Sequence, residues 1–261
     1  RKESSAASDV YKRQGTVDIE YRVVEKPSDQ LQLSGGWGGF SGFVGTLGLV
    51  FNNFSLRNIG KFKNWDPLPS GDGQRFSMSV QANGLRFQSY NMSFTEPWLG
   101  GRKPNSFTIS LNHSVSRSLD NDFKELGSLR VTGATISLGR RLKWPDDWFT
   151  LSNSISFMHY NVNNFTSASS LCSDCDANNL SFNTTISRND IGTNPQFPTQ
   201  GSSISLSLSL TPPYSAFNKN ILEKTGDDRY EWIEYHKWMF DFSNFIKLTV
   251  NNKKEIDIFS Q

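Results

Sequence analysis

Cysteine is almost absent from this sequence: Cys172 and Cys175, in a lone C-S-D-C, are the only two among 261 residues. With no second pair and no histidine nearby they fall short of the four ligands of a structural zinc site, which leaves a local disulfide or two free thiols in a loop. Net charge is equally scarce. Lys plus Arg number 27 against 25 Asp plus Glu, a formal +2, and so the basic balance of a nucleic-acid binder is missing. No stretch approaches the roughly 18 consecutive apolar residues of a membrane helix, which excludes a helical membrane protein. It does not exclude a membrane β-barrel, whose strands need only alternate apolar and polar residues. The opening residues Arg1 to Gln14 lack the apolar core and small-residue cleavage site of a signal peptide, so the chain is either cytosolic or a fragment. Catalytic signatures are missing too. There is no H-E-x-x-H, G-x-S-x-G, P-loop or G-x-G-x-x-G, and His113, His159 and His236 stand isolated. No enzyme activity, metal or cofactor is expected.

What is present is alternation. In Ser203-Ile204-Ser205-Leu206-Ser207-Leu208-Ser209-Leu210 every second residue is aliphatic and every other one a hydroxyl, the pattern of a strand with one apolar face. The same period runs through Phe76, Met78, Val80, Ala82; through Tyr90, Met92, Phe94; through Phe107, Ile109, Leu111; through Ala134, Ile136, Leu138; through Leu180, Phe182, Thr184, Ile186; and through Trp238, Phe240, Phe242. About ten strands are predicted between Leu31 and Val250, with an eleventh starting near Glu255. Their length, about 9 to 14 residues, exceeds that of ordinary globular strands and suits a tilted membrane crossing. The face opposite the aliphatics is Ser, Thr, Asn and Gln rather than Lys and Glu, as befits a lumen more than a sheet bathed in bulk water. The expected fold is all-β: an antiparallel up-and-down transmembrane β-barrel.

Connections fall into two series. Gly39 to Gly42, Gly84 to Arg86, Leu119 to Leu126, Asn163 to Asn178 and Pro212 to His236 make one; Glu96 to Pro104, Lys143 to Asp147 and Ile191 to Thr199 make the other, with Asn58 to Gln74 unusually long for the turn side. Trp98, Trp144, Trp148, Tyr160 and Trp238 near strand ends fit interfacial aromatic girdles. The run Gly35-Gly36-Trp37-Gly38-Gly39 should weaken the first strand's hold on its neighbour.

These residues resemble a known family. Val17 to Pro27 followed by Leu31-Gln32-Leu33-Ser34-Gly35-Gly36-Trp37-Gly38 is similar to the junction between the last POTRA domain and the barrel in the BamA family of outer-membrane assembly factors, within the POTRA plus bacterial surface antigen barrel superfamily. Ser93-Phe94-Thr95-Glu96-Pro97-Trp98 resembles that family's fourth barrel strand and turn, and Arg188-Asn189-Asp190 with Phe197-Pro198-Thr199-Gln200-Gly201 its F-P-T-x-G region. Separately, Asp9 to Gln14 back-translates as GAT GTG TAT AAG AGA CAG, which resembles the end of a library-preparation transposon, so residues 1–14 read as a sequencing scar. Residues 15–27 then read as the end of the last POTRA domain and 28–261 as the N-terminal part of a barrel, truncated at about ten of an implied sixteen strands. Glu255 to Gln261 fits the family's eleventh strand poorly.

The resemblance implies a factor in the outer membrane of a Gram-negative bacterium that assembles and inserts other outer-membrane proteins. A client strand with unsatisfied N–H and C=O groups cannot enter lipid alone. The seam strand Leu31 to Gly38 would offer its edge as a template, pairing with the C-terminal strand of an unfolded outer-membrane protein by β-augmentation. Arg188, Asp190, Phe197, Pro198 and Gly201 would meet a lid loop, and Cys172 and Cys175 would sit in an external loop where a disulfide is permitted. Accessory assembly lipoproteins and outer-membrane lipid are the other implied partners; nucleic acid and cofactors are not. The chain by itself is expected to lack autonomous assembly activity. Alternative readings are a two-partner secretion or translocation pore, a passive porin, and a secreted β-sandwich binding module.

Overall fold

Alternation dictates the architecture, because a strand with one apolar and one hydroxyl face is satisfied only beside like strands. The computed structural model describes residues 7–9, 18–20, 29–38, 42–65, 68–101, 103–120, 122–165, 174–191, 200–217, 231–251 and 254–260. Strands β1 (Ala7–Asp9) and β2 (Asp18–Glu20) pair antiparallel with each other. The rest form one antiparallel meander of eleven strands: β3 (Gln30–Trp37), β4 (Phe43–Phe54), β5 (Gln74–Asn83), β6 (Phe87–Glu96), β7 (Ser106–Leu119), β8 (Glu125–Arg141), β9 (Phe149–Asn163), β10 (Asp174–Asn189), β11 (Gly201–Leu210), β12 (His236–Asn251) and β13 (Lys254–Ser260). Each pairs with its chain neighbour, and β3 and β13 are the two edges. The ten strands expected between Leu31 and Val250 are β3 to β12, and the eleventh is β13. Their lengths spread more widely than expected, from 7 residues in β13 to 17 in β8. Among the described residues, helix is confined to α1 (Tyr214–Phe217) and to two 3-10 turns, Leu56–Asn58 and Phe62–Asn64. No helix of the described residues is long and apolar enough to cross a membrane.

Register turns the alternation into two chemically distinct faces. Phe51, Phe76, Phe94, Ile109, Ile136, Ile155, Phe182 and Leu210 stand opposite one another strand after strand, one unbroken apolar row across eight strands. On the other face a polar row runs across β5 to β10. Ser77, Ser93, Ser110, Thr135, Ser156 and Ser181 form the matching hydroxyl row. The hydroxyls bond laterally, Ser77 Oγ to Ser93 Oγ at 2.7 Å, Thr135 Oγ1 to Ser156 Oγ at 2.9 Å and Thr185 Oγ1 to Ser207 Oγ at 3.0 Å. This face borders a cavity of about 360 Å³ beside Gln30, Gln32, Ser77, Ser79, Asn91 and Ser93. The apolar face is left uncovered, with Ile136 49%, Ile155 48% and Leu111 48% exposed. A row of bulky aliphatics left exposed, while the serines behind it are buried to 6% and 5% at Ser156 and Ser181, inverts the arrangement of a water-soluble sheet. It is the arrangement of a barrel wall whose outer face meets lipid.

Toward the loop-side ends of β8, β9 and β10 the faces exchange character. Thr132, His159 and Asn178 continue the outward positions, while Leu129, Val162, Cys175 and Ala177 point the other way. Val162, 2% exposed, packs on Leu129, Phe165 and Cys175. The outward polar groups are paired: His159 Nδ1 lies 2.9 Å from Asn178 Oδ1, and Asn161 Nδ2 donates to Asp176 Oδ1 at 2.6 Å. Past the end of β11, the edge of β10 is taken up by 231–233: Asn178 N donates to Glu231 O at 2.7 Å and Ile233 N to Asn178 O at 2.9 Å. This seats Trp232 between Tyr214 and Phe157, with ring centroids at 4.6 and 6.5 Å.

Candidate functional site

The expected seam is β3. Its eight residues are all exposed, and among the described residues its backbone pairs on one side only, with β4. An edge strand presents a row of N–H and C=O groups to a further strand. Leu31 (68% exposed), Leu33 and Trp37 continue the apolar face, while Gln32 and Ser34 continue the polar one, so an added strand would meet both environments in register. Gly38 N donates to Gly42 O at 2.8 Å, at the base of the β3–β4 connection.

Toward β4 the ladder is unbroken, from Gln30 opposite Val50 to Trp37 opposite Phe43. The glycines do not interrupt it. Gly35 and Gly45 are direct partners, and the Phe43 ring lies across both: a Cβ on Gly45 would sit 2.8 Å from Phe43 Cε1, and one on Gly35 3.4 Å from Cζ. An aromatic laid over paired glycines restores the side-chain cover that they lack. Gly36, by contrast, has open space where a Cβ would be. Phe43 was not among the residues singled out from the sequence; a phenylalanine two residues before a strand glycine is the only signal it carries.

Part of the second expected cluster assembles at the turn side. Arg188 donates from Nε to Asp146 Oδ2 at 2.8 Å, from one terminal nitrogen to Ser202 Oγ at 3.0 Å and from the other to Asp190 Oδ2 at 3.2 Å. Asp146 belongs to the β8–β9 turn, where its other oxygen accepts from Trp148 N at 2.9 Å. The hydrogen bond from Arg188 holds the Asp146 carboxyl below the usual 3.8, with the backbone N–H of Trp148 assisting against partial desolvation. Gly201, at φ +112°, starts β11 with the space of its missing Cβ occupied by the carbonyl oxygen of Asp190, which would lie 2.1 Å away. Only glycine fits there. Phe197, Pro198 and Cys172 lie outside the described residues; Cys175 is disulfide-bonded. Asp146 and Ser202 were not foreseen, since nothing local to Arg188 marks a partner 42 residues away.

The structure does not bring the two features together. β3 and β10 are seven strands apart in the sheet order, roughly 34 Å along the sheet at about 4.8 Å per strand. No group of three or more His, Cys, Asp or Glu that could hold a metal occurs among the described residues.

An uncovered apolar belt, a hydroxyl inner face and an open edge strand define a membrane β-barrel wall. The Omp85 superfamily domain matches residues 70–256, and the chain belongs to that superfamily: it is a non-enzymatic outer-membrane protein. Its fold is similar to the crystal structure of BamA from Haemophilus ducreyi lacking POTRA domains 1-3, at a TM-score of 0.56 and 18% identity over 95% of this chain. The chain spans 43% of the length of that structure's chain. No curated protein sequence matches.

Proposed function

We propose that the chain is the N-terminal part of the barrel, residues 28–261, of an outer-membrane protein assembly and insertion factor in a Gram-negative bacterium, with 15–27 closing a POTRA domain. Its partners are unfolded outer-membrane proteins, accessory assembly lipoproteins and outer-membrane lipid. The observation that carries this reading is β3: eight exposed residues paired on one side, with a glycine pair covered by the single ring of Phe43. A client's C-terminal strand adds to that edge, and its N–H and C=O groups are satisfied before they meet lipid. Neither nucleotide nor metal is needed, because backbone pairing and burial of apolar side chains in lipid drive the reaction. In this reading Arg188, Asp190 and Gly201 set the shape of the β10–β11 turn, against which a lid loop packs together with Phe197 and Pro198.

The test is amide exchange on the full chain in phospholipid bicelles, with and without a synthetic peptide carrying a client's C-terminal strand. Ladder bonds alternate along a strand, so about half of the amides in Gln30–Trp37 should slow on adding peptide, in every-second-residue order. Unchanged exchange in β3 alongside protected β4 to β12 would refute templating while leaving the barrel wall intact.

A further inference from the structure

The β4–β5 connection exposes apolar side chains that neither the sheet nor the proposed templating uses. Leu56 (55%), Ile59 (45%), Phe62 (78%) and Trp65 (37%) all reach solvent, and the Phe62 and Trp65 rings meet at 5.2 Å between centroids. They are presented by a fixed frame. Ser55, fully buried, accepts from Asn58 N at 3.2 Å and donates to the Asp72 carboxylate; Asn58 Nδ2 donates to Ser70 O at 2.9 Å; Leu56 N donates to Gln74 Oε1 at 2.7 Å. The cations Arg57, Lys61 and Lys63 alternate with these apolar residues, and no carboxylate occurs from Ser55 to Trp65. Asp66, which follows, lies outside the described residues. The segment leaves straight from the apolar belt, where Phe54 stacks on Phe76 at 5.2 Å and meets Phe94 at 6.2 Å. Trp98, Trp144 and Trp148 are exposed at the same end of the sheet. The opposite end carries charge of both signs, with Asp120, Glu125, Asp174 and Asp176 beside Arg86, Arg117, Lys124 and Arg130.

We infer that residues 55–65 form an interfacial anchor that seats on anionic phospholipid headgroups at the turn-side surface of the membrane; this rests on the reading that the sheet spans a bilayer. Aromatic rings and aliphatics held beside lysine and arginine satisfy both layers of such an interface, the rings at headgroup level and the cations on phosphate. A protein surface complementary to the same segment would need carboxylates interleaved with apolar sockets, whereas a lipid surface supplies both chemistries everywhere. The anchor would fix the height of β4 in the bilayer, and through it that of β3.

The test uses the full chain with Cys172 and Cys175 replaced by Ser and one environment-sensitive fluorophore, placed by Phe62→Cys or, on the apolar belt, by Met92→Cys. It is reconstituted in vesicles of phosphatidylcholine alone or of phosphatidylcholine with phosphatidylglycerol. With phosphatidylglycerol present, the label at 62 should be quenched by headgroup nitroxide and shielded from acrylamide. Replacing Arg57, Lys61 and Lys63 by Gln should weaken that shielding about fivefold per cation removed, leaving position 92 unchanged. A label at 62 that stays open to acrylamide in both vesicles while 92 is lipid-quenched overturns the inference. So does shielding that ignores both phosphatidylglycerol and the three cations, or that appears only when another protein is added. If 92 itself is not quenched by lipid, the membrane-spanning reading fails and takes the anchor with it.

Discussion

Ile136 and Ser137 are neighbours in β8 that point to opposite faces, and an arginine at each separates lipid from water most sharply. Ile136 stands between Ile109 and Ile155 in the middle of the apolar row and is 49% exposed; Ser137 stands between Thr108 and Ser154 on the hydroxyl side. On the lipid face near the bilayer midplane an arginine costs about 2–4 kcal/mol, with the lumen side tolerant of such changes. At about 1.4 kcal/mol per factor of ten, Ile136→Arg should lower the folded-to-unfolded ratio about 30- to 700-fold. Ser137→Arg gives its guanidinium to the wet side and should change the ratio less than about fivefold. The assay is urea unfolding of each variant in phospholipid vesicles, followed by tryptophan fluorescence. Equal costs at the two positions would refute the assignment of faces, and a larger cost at Ser137 would reverse it.

Removing the ring that covers the paired glycines, by Phe43→Ala, should cost up to about 1 kcal/mol of cross-strand support and speed amide exchange in Gln30–Trp37 by up to about fivefold; exchange as slow as in the parent would show that the ring does not hold the seam. Gly201→Ala places a methyl against the Asp190 carbonyl at a positive φ and should destabilise the chain by about 1–3 kcal/mol, seen as a lower urea midpoint; a midpoint that does not move would contradict the close approach. Asp146, held below its usual 3.8 by Arg188, contributes stability that is fully present above that value and is lost as the pH falls through the lowered one. The titration midpoint read from Trp148 should therefore rise toward 3.8 in Arg188→Gln, and an unmoved midpoint would break the link.

Most of the strand order was legible because lipid and a hydroxyl-lined interior each select one residue class, so the period of two persists from Phe76 to Phe242 without help from distant contacts. The exceptions have a physical cause. Glu125 and Leu126 read as loop yet begin β8, and 174–178 read as loop yet begin β10. Above the belt the outward positions face water and become Arg130, Asn161 and Asp176, while Val162, Cys175 and Ala177 turn inward and pack. The period survives there, but its polarity inverts and hides it. The edge position of β3 was legible from its place as first strand of the meander. Its attachment to β4 was not, because the cover comes from Phe43 across the hairpin. Arg188 and Asp190 were legible as a motif before the turn, whereas Asp146 and Ser202 were not, since they arrive from the β8–β9 turn and from β11 through the sheet register.

The most direct test of templating at β3 is a disulfide walk. With Cys172 and Cys175 replaced by Ser, single cysteines at Leu33, Ser34 and Gly35 are offered to single cysteines along the C-terminal strand of an unfolded outer-membrane protein. Templating predicts one preferred client position for each β3 position, moving in step by one residue as the β3 cysteine moves by one, because paired strands hold a fixed register. Crosslinks scattered without register, or formed equally well to cysteines on β13, would contradict it.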